Sequence, residues 1–215
     1  MSALLVEMTP GFADAAHGAQ QVFRVLLDAM ARPGRIHTLP AAAVAGIVPP
    51  AGVDGAPMGR AAAASLLTLL DAETTLHLHG DLARATTIAW LRFHTGVRLA
   101  AAGHAAFVAA RAGEVDRALC DALDLGSDEA PQRGATLLVE VDALDDRPIA
   151  GGAAFTLRGP GIEDCHDLAV AGVPDAVWAW RLALRQALPR GVDLVLTQGD
   201  RLAALPRTTR ITRKD

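Results

Sequence analysis

Arginine and hydroxyl side chains crowd into one short run near the C-terminus, Pro206-Arg207-Thr208-Thr209-Arg210. Guanidinium forks beside hydroxyls make a donor set suited to phosphate or carboxylate. Read as extended chain, Thr208 and Arg210 face one way and Arg207 and Thr209 the other, so each face carries one fork and one hydroxyl. Read as a last edge strand, the same residues guard that edge against pairing with other chains. Between residues 181 and 215 there are eight basic side chains against three acidic ones, although the net charge of the chain is −4. A basic, donor-rich terminus on an otherwise acidic chain points to an anion or an acidic partner, with a solvated tail of paired charges as the alternative.

Other residue groups suggest chemistry less strongly. In Arg158-Gly159-Pro160-Gly161-Ile162, Pro160 and Gly161 suit the two central positions of a type II turn, which can present backbone N–H groups to an anion or a partner. His94 stands in Leu91-Arg92-Phe93-His94-Thr95-Gly96 at an expected helix C-terminus, where the dipole favours a cation and Gly96 supplies a left-handed cap. As a general base His94 would need an orienting carboxylate. His77 and His79 share one face of a strand, but no third ligand follows at a metal-site spacing, so no metal is expected. Cys165-His166-Asp167 has the residue types of a nucleophile and base. Adjacent residues of an extended chain point apart, however, and a dyad needs contact in space.

Composition removes several classes of function. Lys214 is the only lysine in 215 residues and sits next to the end, so a Schiff-base lysine in a pocket is excluded, as is a Gly-Lys-Ser/Thr phosphate loop. No cofactor is expected. The two cysteines, Cys120 and Cys165, have unrelated contexts and read as reduced. Although 51% of the residues are hydrophobic, no run approaches the roughly 18 to 20 apolar residues that span a bilayer. The stretch 1–18 carries Glu7 and Asp14 and lacks the basic start and apolar core of a secretory leader, so a cytoplasmic protein without a membrane partner is expected. The three tryptophans and five phenylalanines fall at helix-core spacings rather than between the arginines, which argues against nucleic-acid binding.

These residues must be positioned by regular elements. The apolar spacing of Phe12, Ala15, Ala19, Val22, Phe23, Leu26, Leu27 and Met30 predicts an amphipathic helix over 12–30, ended by Pro33-Gly34 in a turn before a short strand over 35–39. A Pro/Gly loop over 49–57 leads to an alanine- and leucine-rich helix over 58–70. A strand is predicted over 74–79, then a helix capped by Asp81, running to 92 or 93 and closed by Gly96. Strands over 105–110, 135–141, 154–158 and 192–197, with helices over 115–123 and 174–188, complete the pattern. Helices alternating with short apolar strands give a layered α/β domain with a mixed, largely buried sheet, and no linker divides residues 1–215 into two domains.

Six stretches occur in order over almost the whole chain: Phe23-Arg24-Val25-Leu26-Leu27-Asp28-Ala29-Met30-Ala31-Arg32-Pro33-Gly34; Leu69-Leu70-Asp71-Ala72-Glu73-Thr74; Phe93-His94-Thr95-Gly96; Gly134-Ala135-Thr136-Leu137; Leu157-Arg158-Gly159-Pro160-Gly161-Ile162; and Arg190-Gly191-Val192-Asp193-Leu194 through Leu205-Pro206-Arg207-Thr208-Thr209. Together they resemble the H-subunit family (PhnH) of the bacterial carbon–phosphorus lyase system for phosphonate use. The resemblance implies a three-layer αβα sandwich with a mixed central sheet, similar to the large domain of pyridoxal-phosphate-dependent transferases but without the cofactor. It also implies a homodimer that joins subunits G, I and J in a core complex. That assembly supports formation of alpha-D-ribose 1-methylphosphonate 5-triphosphate from ATP and methylphosphonate, and subunit J later cleaves the C–P bond. The subunit is then not expected to be catalytic alone, and no catalytic residue carries over. Arg207, Thr208, Thr209, Arg210, His94, Arg158, Gly159 and Gly161 stand as candidates for contact with a phosphate-bearing ligand or a partner. Ala187-Leu188-Pro189 departs from the family, which places an aromatic before the proline. The second reading is a stand-alone phosphonate- or nucleotide-binding enzyme using His94 with Arg207 or Arg210.

Overall fold

The side chain of Asp14 accepts the His17 N–H at 3.0 Å and starts helix α1 (Ala15–Ala31). The helix ends where Pro33 forbids another turn. Arg35 N–H then bonds the Arg32 carbonyl at 3.2 Å around Gly34 at φ +81°, the expected type II turn. The computed structural model describes residues 8–51 and 57–214. The centre of the expected 49–57 loop, residues 52–56, lies outside them, as do residues 1–7 of the expected leaderless N-terminus.

The remaining elements follow as β1 (His37–Thr38), α2 (Ala41–Val44), α3 (Arg60–Leu69), β2 (Thr75–Leu78), α4 (Ala85–Thr95), β3 (Arg98–Leu99), β4 (Phe107–Arg111), α5 (Arg117–Ala122), β5 (Thr136–Glu140), β6 (Ala143–Asp145), β7 (Ala153–Arg158), β8 (His166–Ala171), α6 (Asp175–Ala183), β9 (Asp193–Gln198), β10 (Arg201–Leu205) and β11 (Arg210–Arg213). A seven-stranded sheet runs in the order β1-β10-β9-β5-β4-β2-β3. From β9 to β3 its strands are parallel, and β10 and β1 add antiparallel pairings at one side. The expected mixed α/β sheet is therefore present.

Alternation along the strands divides the core into two halves. Leu76, Leu78, Ala109, Leu138, Val195 and Ala204 face α1, α3 and α4, while Val108, Leu137, Val139, Leu194, Leu196 and Ala203 face the other way. Alanines make α3 thin enough for six successive residues, Ala61 to Leu66, to be buried.

The second face departs from a layer of helices alone. Beside α5 and α6 it is covered by a four-stranded antiparallel sheet in the order β11-β7-β8-β6. Phe155 and Leu157 of β7, and Leu168 and Val170 of β8, supply its inner face. Strands β3, β6, β8 and β10 and the short helix α2 were not foreseen, and β10 and β11 follow the expected strand over 192–197.

Two further expectations change. Asp81 does not cap α4: it lies in a 3₁₀ turn (Gly80–Leu82), and the helix starts after Arg84 without a side-chain cap. Gly96 at φ +72° does close that helix, its N–H bonding the Arg92 carbonyl. The apolar stripe of α1 is wider than its buried face, because Phe23 and Leu27 remain 50% and 58% exposed.

The two sheets are tied together through α6. Phe155 of β7 and Trp178 of α6 are both essentially buried, with ring centroids 4.5 Å apart. Phe155→Ala leaves a cavity at this junction and is expected to lower stability by about 3–5 kcal/mol in equilibrium urea unfolding. A loss under about 1 kcal/mol would show that the small sheet contributes little to the common core.

Candidate functional site

The arginine-rich run is a turn followed by a strand. Thr209 N–H bonds the Pro206 carbonyl at 2.9 Å, so 206–209 fold back, and Arg210 opens β11 at the edge of the small sheet. Of the two sequence readings, the edge strand holds from Arg210 onward, whereas Arg207, Thr208 and Thr209 do not alternate as extended chain.

Arg207 is fixed from several sides. Its Nη2 and Nε donate to Asp193 at 2.6 and 3.2 Å, its backbone N–H bonds the same carboxylate at 2.7 Å, and its Nη1 donates to the Pro131 carbonyl. The Arg207 and Asp193 side chains are only 13% and 15% exposed. Arg181 of α6, itself 4% exposed, donates to the Pro206 carbonyl at 2.6 Å and reaches those of Leu205 and Arg207 at 3.5 Å. Burial pushes Arg181 down to about 10, against the Asp193 charge, which raises it, so it stays charged at neutral pH. Thr209 is buried beside them, while Thr208 and Arg210 face outward.

The fold brings a second sequence motif to this one. Strands β7 and β11 pair with Arg158 opposite Arg210, and a side chain at Gly159 would meet the Thr208 carbonyl. The turn after β7 forms as expected, with Ile162 N–H on the Gly159 carbonyl at 3.1 Å and Gly161 at φ +81°. A Cβ at Gly161 would collide with the Ala31 carbonyl, so this turn packs onto the end of α1. Arg158 holds Asp164 at 2.7 Å in an exposed pair.

His94 is elsewhere. Its Nε2 lies 3.1 Å from the Thr9 carbonyl and its ring meets Trp90 and Phe93 edge-on, on the α4 side of the large sheet. Arg207 and Arg210 lie with α6 and the small sheet on the opposite side. The structure therefore does not join His94 to the arginines.

His77 bonds the Ala100 carbonyl at 3.2 Å, and its ring centroid is 6.0 Å from that of His79. Among the described residues no group of three His, Cys, Asp or Glu is placed to hold a metal. Asp167 turns from His166 towards Thr156 and Lys214, at 2.9 and 2.6 Å, while the Cys165 Sγ lies 3.8 Å from Asp164. No Cys-His-Asp relay forms there.

A charged group that sequence reasoning missed sits at the carboxyl ends of the parallel strands, where open α/β sheets bind ligands. Glu114, after β4, accepts the Asp81 N–H at 2.7 Å, and Asp81, after β2, contacts Arg84 and Arg111. Glu140, at the end of β5, accepts the Gly59 N–H at 2.7 Å and so fills the N-terminus of α3 with its own carboxylate. Burial raises the Glu140 carboxyl, against the Gly59 hydrogen bond and the Arg111 charge, which lower it. The available signal was a charged residue ending or following strands β2, β4 and β5, at Asp81, Arg111 and Glu140.

Two outcomes test this assignment of roles. Asp193→Ala strands Arg207 in a mostly buried position and is expected to cost about 3–5 kcal/mol in urea unfolding, with a negligible change arguing for a solvated terminus. Burial pushes the Cys120 thiol up to about 11, while Cys165 is exposed. At about pH 8 a thiol reagent should titrate one cysteine in the folded chain and both after unfolding. Rapid modification of Cys120 in the folded state would contradict the packing around α5.

The family model described as bacterial phosphonate metabolism protein (PhnH) matches residues 10–212. Over 204 residues, 94% of each chain, the sequence is 39% identical to the alpha-D-ribose 1-methylphosphonate 5-triphosphate synthase subunit PhnH of Rhizobium meliloti (strain 1021). It is also 35% identical over 195 residues, 91% of this chain and 86% of the relative, to HtxG of Stutzerimonas stutzeri, assigned by name to the C-P lyase subunits. The matched region includes both sheets and the arginine-clamped turn between them, and the chain belongs to the bacterial phosphonate metabolism protein family, PhnH.

Proposed function

We propose that this chain is a subunit of the carbon–phosphorus lyase core complex and supports formation of alpha-D-ribose 1-methylphosphonate 5-triphosphate from ATP and methylphosphonate. The observation that carries this reading is the 39% identity over 94% of both chains to a relative named as a subunit of that synthase. The site chemistry is consistent with a docked, non-catalytic or co-catalytic subunit. Among the described candidates, His94 meets a carbonyl and Cys165 a carboxylate, so neither is matched to a partner for acid–base or nucleophilic work.

In this reading the chain forms a homodimer and joins subunits G, I and J in the cytoplasm. Its architecture follows the large domain of pyridoxal-phosphate-dependent transferases without using that cofactor. The exposed Phe23 and Leu27 on α1 supply apolar surface for such contacts. Thr208, Arg210 and Arg158, with Gly159 and Gly161 shaping the neighbouring turn, supply polar contacts for a partner or its phosphate-bearing ligand. Arg207 and Thr209 support them from below. The stand-alone enzyme reading has less support, because His94 lies across the large sheet from Arg207 and Arg210.

Size exclusion with light scattering tests the subunit reading, on the chain alone and after co-expression with subunits G, I and J. A dimer alone that moves into a larger stoichiometric particle is the expected result. A chain that elutes separately from all three subunits would overturn it.

A further inference from the structure

A shallow hollow opens between the end of α6 and the start of β11. Arg181, Leu182, Arg185 and Leu188 line it from the helix side, Thr209 and Arg210 from the strand side. It encloses only about 20 Å³, roughly the room of one water molecule. Small-molecule sites run from about 300 to 1,000 Å³, so this is a dimple in a surface and not a cavity for a nucleotide or metabolite.

Four groups around the dimple lack the partner that their chemistry calls for. Among the described residues, the Arg185 and Arg210 side chains form no ion pair and no hydrogen bond. Arginines close to them in chain or sheet do: Arg158 holds Asp164, Arg190 holds Asp128, Arg207 holds Asp193 and Arg213 holds Asp175. Arg181 and Thr209 are only 4% and 5% exposed, and the Arg181 Nε and Thr209 Oγ1 are buried without a hydrogen-bond partner. All four groups can donate, and an unmet buried donor costs about 1–3 kcal/mol. The group they call for is an acceptor, and a carboxylate is the acceptor that guanidinium forks bind through paired hydrogen bonds.

The acceptor must come from another molecule. Of the acids in this part of the chain, Asp193 and Asp200 are already taken by Arg207 and Arg60. A second copy docked through the same face would set arginines against arginines, a like-charge contact that costs several kcal/mol. The rim is also apolar: Leu182 and Leu188 are each 42% exposed. Exposed aliphatic side chains beside free arginines make the mixed surface of a protein interface.

We propose that the face formed by Leu182, Arg185, Leu188 and Arg210 docks an acidic, amphipathic segment of a partner protein. An aspartate or glutamate carboxylate of that segment lies between the two guanidiniums, and its apolar neighbours rest on the two leucines. The inference rests on the subunit reading and names the contact surface and the chemistry of the partner.

Co-expression with subunits G, I and J tests it, with the parent chain and the double variant Arg185→Glu, Arg210→Glu in parallel. The double variant is expected to co-purify at about one tenth of the parent amount or less. Both side chains are exposed, so circular dichroism should report the same fold, and light scattering on the variant alone should give the parent's mass. In a chain carrying Leu188→p-benzoylphenylalanine, irradiation of the complex should crosslink a partner segment that contains an Asp or Glu. Equal co-purification of parent and double variant would overturn this face and leave the subunit reading standing. A parent chain that joins none of the three subunits would end both. A double variant of altered mass on its own, or a crosslink to a second copy or to a segment without Asp or Glu, would also overturn the proposal.

Discussion

The chain must pass from the last long strand of one sheet to the edge strand of another through a half-buried turn held against α6. Between β10 and β11 the carbonyls of Leu205, Pro206 and Arg207 face α6, and a buried carbonyl without a donor costs about 1–3 kcal/mol. Arg181 serves all three, and Asp193 balances the guanidinium of Arg207 next to it. A buried charge is tolerable only when paired and hydrogen-bonded, so α6, β9 and the turn must be in place together. The small sheet, its contact with Trp178 and the β7–β11 pairing that brings Arg158 beside Arg210 all follow from this crossing.

This constraint changes the meaning of the basic terminus. Charge counting treats each arginine as an outward donor, yet Arg181 and Arg207 are largely spent inside the protein, and Arg213 and Lys214 pair with Asp175 and Asp167. The residues of this segment left facing outward include Arg185, after α6, as well as Thr208 and Arg210 beside the glycine turn at 159–161.

The sequence made much of the large sheet legible because its signals are local. The 3.6-residue spacing of Val22, Leu26 and Ala29, the Pro33-Gly34 turn, the Gly96 cap and the apolar run of β9 each depend on near neighbours. Strands β8 and β10 escaped notice for physical reasons. His166 and Asp167 put polar residues at the start of β8, and Gly199-Asp200 makes 198–201 look like a loop when it is the tight connection between β9 and β10. The partners of Arg207 lie at Asp193 and Pro131, which no spacing rule relates to it. The meeting of Glu140 with Gly59 likewise depends on sheet order, and the exposure of Phe23 and Leu27 depends on what α1 packs against. Apolar periodicity gives the direction of a face but not the extent of its burial.

The most direct measurement compares equilibrium unfolding of Arg181→Ala with that of Arg210→Ala. If the crossing organises the molecule, Arg181→Ala loses about 3 kcal/mol or more, because three carbonyls lose their donor. Arg210→Ala, on the exposed edge, leaves stability unchanged. The opposite order, or two variants both as stable as the parent chain, would contradict the account and return the whole arginine run to the surface.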